Sequence, residues 1–276
     1  MEMLDFFVDS SYSGHRMNRN REGGPVNLTE QQKERYSRHL IMPEIGAEGQ
    51  EKLLAAKVLV IGAGGLGSPV LTYLAAAGVG TLGIADGDVV SLSNLQRQIL
   101  YTTDEIGRPK VECAKRRLSA MNPDVTFELY PDYLTPETIG DVIAPYDMVV
   151  DCVDSFPVKY LINDTCAKMG KPFVHGGILG LSGQVLTVLP GTACFRCFFR
   201  DPPPDEVMPE GPAGVVGVTP GILGTLQAAE VIKYLTGVGS LLTNTLLVVH
   251  AEDMEFARLE LPGRIENCPA CGNAEN

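Results

Sequence analysis

From Val58 to Ala85 no side chain is charged, yet the stretch carries seven glycines and a proline. An uncharged run of this length would suffice to cross a bilayer. The glycines argue for a different outcome, because they divide it into short elements. Lys57–Ile61 is a β-rich apolar run, Gly62-Ala63-Gly64-Gly65-Leu66-Gly67 is a tight turn, Pro69 suits the first turn of a helix that Gly78 or Gly80 ends, and Thr81–Ala85 is a second strand. Strand, glycine turn, helix and strand in that order predict a buried βαβ unit whose turn lets backbone approach a nucleotide.

The rhythm continues. A capping-box pattern, Thr29 with Gln32, predicts a helix carrying Arg35, Tyr36, Arg38 and His39. A second helix is expected near Glu48 to Ala56, others over Lys110 to Met121 and from Pro157 to Gly170, and strands at Phe127–Tyr130 and Met148–Cys152. Alternation of this kind predicts an α/β fold with a Rossmann-like doubly wound sheet. Beyond Lys171 strands follow closely, Phe173–His175 and Gln184–Leu189, joined through Gly180-Leu181-Ser182-Gly183, then a helix from about Thr219 to Thr236 and strands Thr245–His250 and Glu255–Leu261. The doubly wound sheet is therefore continued by antiparallel strands. Residues 1–27 read as a flexible extension, 28–276 as one domain, and Arg200 to Gly214 as a proline-rich loop.

A formal charge of −12 argues against nucleic acid as a partner, since phosphates demand clustered Lys and Arg. The N-terminus has acidic residues where a secretory signal has basic ones, and no membrane span is predicted, so the expected location is the cytoplasm.

A glycine turn alone does not choose between a dinucleotide and a triphosphate. Asp86, at the end of the second strand, is placed to accept hydrogen bonds from ribose hydroxyls. Behind it runs Ser93-Asn94-Leu95-Gln96-Arg97-Gln98, and Lys110 follows. Arg97 and Lys110 supply cations of the kind a triphosphate needs, one as a planar fork and one as a point charge. Asp154, in Asp151-Cys152-Val153-Asp154-Ser155, can hold Mg²⁺ or simply cap the helix that follows. Among seven cysteines, Cys194 with Cys197 and Cys268 with Cys271 form two CxxC pairs, which together can close the tetrahedral shell of a structural Zn²⁺. Cys113, Cys152 and Cys166 read as small buried hydrophobes, and the four histidines as structural.

The motifs "RYSRHL", "GAGGLGSP", "AGVGTLGIADGD", "VSLSNLQRQILY", "GRPKVE" and "DCVDS", with both CxxC pairs, resemble the bacterial ThiF, MoeB and HesA family, relatives of the ubiquitin-activating enzymes, from about Leu28 to Cys271. The resemblance implies adenylation of the C-terminal glycine of a ubiquitin-like sulfur carrier ending in Gly-Gly, with ATP and Mg²⁺ and release of pyrophosphate. It implies that Gly62, Gly64, Gly65, Gly67, Asp86, Ser93, Asn94, Leu95, Gln96, Arg97, Lys110, Asp154 and Ser155 surround the nucleotide. Arg97, Lys110 and Asp154 would act on the phosphates and Mg²⁺, and Arg38 would reach the ATP site of a second copy, making a homodimer. Two departures stand out: Ser155 replaces the family's asparagine, and Glu210 stands where many relatives carry a loop cysteine. With no such cysteine and no rhodanese-like extension after Cys271, a separate sulfur donor is expected. The competing functions are a carrier-docking homologue with little turnover and a nicotinamide oxidoreductase, the latter resting on the glycine turn and Asp86 alone.

Overall fold

The computed structural model describes residues 28–202 and 214–272. The extension expected over 1–27, and most of the loop expected over Arg200 to Gly214 including Glu210, lie outside the described residues. The chain opens with α1 (Glu30–Arg35), capped by Thr29 and Gln32 as the pattern predicts, then α2 (Ser37–Leu40) and α3 (Gly46–Ala55). Next come β1 (Lys57–Ile61), α4 (Gly67–Ala77), β2 (Thr81–Ala85), α5 (Lys110–Met121), β3 (Thr126–Tyr130), α6 (Ile139–Ile143), β4 (Met148–Asp151) and α7 (Phe156–Met169). The last third holds β5 (Phe173–Leu179), β6 (Ser182–Val188), α8 (Phe195–Phe198), α9 (Val218–Thr236), β7 (Thr245–His250) and β8 (Glu255–Glu260). Gly78, Gly170 and Gly237 close α4, α7 and α9 in the left-handed conformation, where a side chain would be strained.

One eight-stranded sheet runs β3-β2-β1-β4-β5-β6-β7-β8. β3 through β5 are mutually parallel, and β6, β7 and β8 continue antiparallel. The uncharged run explains the centre: with helices on both faces, β1 needs apolar side chains on each. Val58 and Val60 join the core packed with α4, α5 and α9, whereas Leu59 and Ile61 join the core shared with α6, α7 and α8. Among the described residues, no helix is long and apolar enough to cross a membrane.

Two details differ from expectation. The β5–β6 hairpin pairs from Phe173↔Val188 out to Leu179↔Ser182, so its turn is only Gly180-Leu181 and Gly183 belongs to the strand. Gly183 serves close packing: a Cβ there would lie 2.6 Å from Gly177 O. The short α6 and α8 carry too few residues for a periodic signal.

α9 lies tightly on α4 because Gly224 has no side chain; a Cβ there would lie 2.5 Å from both Leu66 O and Pro69 Cγ. Gly221, one turn earlier, has open space. Alanine improves helix propensity at either site by about 1 kcal/mol, but overpacking costs about 1–3 kcal/mol. Thermal denaturation should therefore show Gly221→Ala stabilised and Gly224→Ala destabilised relative to the wild type.

Candidate active site

β1 has β2 on one side and β4 on the other, all parallel, with Ile61 opposite both Ala85 and Asp151. The three strands thus release their chains at one edge, where a cleft of about 260 Å³ opens. The glycine turn forms its floor. Gly62 has φ +94°, and a Cβ there would lie 2.7 Å from Cys152 O. Only glycine lets the chain turn so close to β4. Gly64 and Gly65 line the cleft; Gly67 does not, and a Cβ on it would sit 2.0 Å from Gly62 O, so its part is to seat α4 against the turn. The turn is braced by Tyr101, whose hydroxyl donates to Ala63 O at 2.7 Å, and by Ser68, which donates to Gly64 O at 2.7 Å. α4 begins here with no side-chain cap, a helix end suited to negative charge.

Asp86, just past β2, accepts from Ala63 N at 2.7 Å and Asp88 N at 2.9 Å. Burial raises its pKa, against the attraction of Lys110. Lys110 is almost fully buried, with its Nζ 2.8 Å from Asp88 Oδ2 and 3.9 Å from Asp86 Oδ1. The Tyr133 hydroxyl also donates to Asp88. Burial works against the Asp88 charge, yet the bonds from Lys110 and Tyr133 prevail and hold its carboxyl below the usual value. Tyr133 enters the cleft wall because Gly87 makes way; a Cβ there would be 3.0 Å from the tyrosine ring.

The polar run after β2 divides by role. Asn94 and Arg97 line the cleft, and Arg97 Nη1 donates to Ser93 O at 3.1 Å. Ser93, Leu95 and Gln96 lie outside the lining: Ser93 Oγ is 3.3 Å from Ser91 Oγ, Leu95 packs on the core, and Gln96 Nε2 donates to Val215 O at 3.4 Å. Gln98 lines the cleft beside Gly64 with a buried Oε1 that has no partner among the described residues. Asp154 and Ser155 form the opposite wall. Ser155, not Asp154, is the N-cap residue of α7, and the Asp154 carboxylate makes no hydrogen bond or ion pair to a described residue. Arg38 is exposed on α2 and is not among the residues lining the cleft.

Asp88, Gln98, Asp132 and Tyr133 also line this cleft, beyond the residues expected to do so. Gln98 sits in the polar run and was within reach of sequence reasoning. Asp132 and Tyr133 follow β3 with no local motif, and only the β2–β3 pairing brings them here. Four carboxylates, Asp86, Asp88, Asp132 and Asp154, face two cations, Arg97 and Lys110. A polyanionic ligand entering such a cleft needs additional positive charge, and an unpaired carboxylate such as Asp154 suits a hard divalent cation.

Outside the cleft lining, the Sγ atoms of Cys194, Cys197, Cys268 and Cys271 lie within 4.8 Å of one another. Cys194–Cys268 is 3.6 Å and Cys197–Cys271 is 3.4 Å, near the edge of about 3.8 Å that a tetrahedron with Zn–S bonds of about 2.3 Å requires. All seven cysteines are free of disulfides. Burial pushes the Cys194 thiol up and that of Cys271 to about 12, whereas at Cys268 burial is outweighed by hydrogen bonds that hold the thiol below its ordinary value, so ionising Cys194 and Cys271 together with it needs a cation. α7 holds the first pair in place: Asn163 Oδ1 accepts from Phe195 N at 2.9 Å, and Asp164 takes both Nε and Nη2 of Arg196 at 2.7 and 2.8 Å.

Known proteins resemble this chain in sequence and fold. The ThiF family model matches residues 36–270. The sulfur carrier protein adenylyltransferase of Thermus thermophilus is 46% identical over 252 residues, covering 89% of this chain and 93% of that protein. The SAMP-activating enzyme E1 of Haloferax volcanii is 44% identical over 249 residues, covering 90% and 92%. The adenylyltransferase and sulfurtransferase MOCS3 of Arabidopsis thaliana is 44% identical over 242 residues; that match covers 87% of this chain but 52% of MOCS3, so the chain spans about half its length. Among solved structures, E. coli MccB with ATP superposes with a TM-score of 0.78 at 25% identity, covering 91% of this chain and 76% of that one. The glycine turn, the three strand ends beside it, the polar run and all of the clustered cysteines but Cys271 fall within the matched residues, and the chain belongs to the ThiF family.

Proposed function

We propose that this chain adenylates the C-terminal glycine of a ubiquitin-like sulfur carrier ending in Gly-Gly, consuming ATP and releasing pyrophosphate. The observation that carries this reading is the convergence of Asp86, Asn94, Arg97, Lys110 and Asp154 on the glycine turn in one cleft. The names of the Thermus and Haloferax relatives, which match over nearly their whole length, support it.

In this reaction a terminal carboxylate oxygen of the carrier attacks the α-phosphorus of ATP. An O–P bond forms as the bond to pyrophosphate breaks, leaving an acyl-adenylate. The nucleophile is already ionised near pH 7, so no general base is needed, and among the described residues no histidine lines the cleft. Catalysis then rests on alignment and charge neutralisation. Arg97 presents its fork to phosphate oxygens. Lys110 exchanges Asp88 for phosphate, and Asp86 uses its remaining lone pairs for the ribose. Asn94 and Ser155 complete the polar wall, the serine with a hydroxyl where relatives have an amide. Asp154 would hold Mg²⁺, which would supply positive charge to offset the phosphates and the carboxylates of the cleft.

A protein substrate suits the second half of the sheet. On the face away from α9, Leu179 at the tip of β5 is 62% exposed and Leu259 on β8 is 55% exposed, while Ile178, on the α9 face of β5, lines the cleft. Arg38 is exposed beside Ile41 and Met42, themselves 69% and 42% exposed, which supports a homodimer in which each copy supplies Arg38 to the other's site. Zn²⁺ in the four cysteines is structural, with no open position for substrate. Residues 28–276 act as a single adenylation domain in the cytoplasm, and sulfur is added to the adenylate by a separate donor.

Pyrophosphate exchange into ATP should depend on a Gly-Gly-ending carrier, and Arg97→Ala should lower it about a hundred-fold or more, as loss of a transition-state donor does. Robust exchange by Arg97→Ala would remove that residue from the mechanism. Intact mass of candidate carriers incubated with enzyme and MgATP should show the acyl-adenylate. Elemental analysis should find one zinc per chain, and Cys268→Ser should lose the metal together with several degrees of thermal stability.

A further inference from the structure

Beneath the cleft lies a charged group that the adenylation chemistry does not use. Asp151, Lys159 and His175 are 1%, 6% and 1% exposed. Lys159 Nζ donates to Asp151 Oδ1 and Oδ2 at 3.2 and 3.1 Å and also to Gly176 O. His175 Nδ1 is 2.8 Å from Asp151 Oδ2, and its Nε2 is 3.3 Å from Gln184 Nε2. Burial and the charge of Lys159 keep the imidazole pKa low, so the neutral ring donates from Nδ1 and accepts at Nε2. Burial also opposes the Asp151 charge, but Lys159 and His175 outweigh it and hold the carboxyl below its ordinary value.

A buried ion pair is a poor means of gaining stability, because desolvation offsets most of the attraction. What this one does is fix a place. Asp151 ends β4, and its Oδ1 accepts from Val153 N at 3.2 Å. From α9, Gln227 Nε2 donates to Asp151 O at 2.8 Å while its Oε1 receives Cys152 Sγ at 3.7 Å. Gly176 leaves room for that amide; a Cβ there would lie 2.4 Å from Gln227 Cδ. Three elements, α7, β5 and α9, therefore grip the start of the segment Cys152 to Ser155, whose residues line the cleft and present Asp154.

We propose that Asp151, Lys159, His175 and Gln227 form a positioning clamp that sets the Asp154 carboxylate where it can hold a divalent cation against the phosphates of bound ATP. The proposal rests on the adenylation reading, and its test separates the two. Lys159→Met alone strands a buried carboxylate, so the informative variant is Asp151→Asn with Lys159→Met, which removes both charges together. Mn²⁺ binding in the presence of ATP, followed by electron paramagnetic resonance, reads the cation site without turnover; melting temperature reads the fold.

The neutral pair should fold yet bind Mn²⁺ about ten-fold or more weakly, as loss of groups that orient a metal ligand does. Lys159→Arg should retain most of the affinity. Gln227→Met, which touches no charge, should weaken Mn²⁺ binding as well and serves if the neutral pair does not fold. Asp154→Ala calibrates the assay. Weakened Mn²⁺ binding by Asp154→Ala, with wild-type binding by the folded neutral pair or by Gln227→Met, would overturn the clamp alone. Wild-type binding by Asp154→Ala would instead overturn the metal role of Asp154, and the clamp's purpose with it.

Discussion

The position of β1 between two parallel neighbours is the constraint from which the rest follows. Because Ile61 stands opposite both Ala85 and Asp151, the chain leaves three strands at one edge and must fit three connections into the same space. The glycines solve that crowding. Gly62 turns within reach of Cys152 O, Gly65 lies where a Cβ would meet Pro220 of α9 at 3.2 Å, and Gly87 admits Tyr133. The cleft is the volume left between these connections, which is why its residues come from so many parts of the sequence.

That crowding also shapes the electrostatics. Carboxylates collect at this edge because strand ends expose backbone amides that they can accept from, as Asp86 does from Ala63 and Asp88. Lys110 is buried against two of these carboxylates, and Lys159 against a third. Lys110 is thus already paired, so an anionic ligand can gain it only by exchange with Asp88, whereas Arg97 bonds the Ser93 carbonyl and no carboxylate.

The antiparallel half is stabilised differently. β8 is an edge strand with few buried side chains, and the residues after it are irregular. The cysteine cluster ties that segment back to Cys194 and Cys197, which α7 grips through Asn163 and Asp164. Since α7 also carries Lys159, the cluster and the floor of the cleft share one helix, and the ring of Phe195 lies 4.4 Å from that of His175.

Much of this was legible in the chain itself. Continuous apolar β-rich runs and glycine stops placed most helices and strands of the parallel half to within a few residues, since both depend on local backbone preference. The glycine turn, Asp86, Arg97 and Lys110 could be marked because the connections carrying them are short or follow directly from a strand end. Where the partner is distant in sequence, nothing local announced it. Gly183 reads as a turn residue in the sequence, because only the hairpin's close packing against Gly177 gives it a different purpose. Asp151 reads as part of a core strand and His175 as structural; only the parallel pairing of β4 with β5, with α7 laid across them, makes these two and Lys159 a buried charged group. Local sequence thus determined the elements and their likeness to a family, whereas tertiary structure decided which polar groups lose their water together, because burial belongs to the packed sheet and not to any one segment.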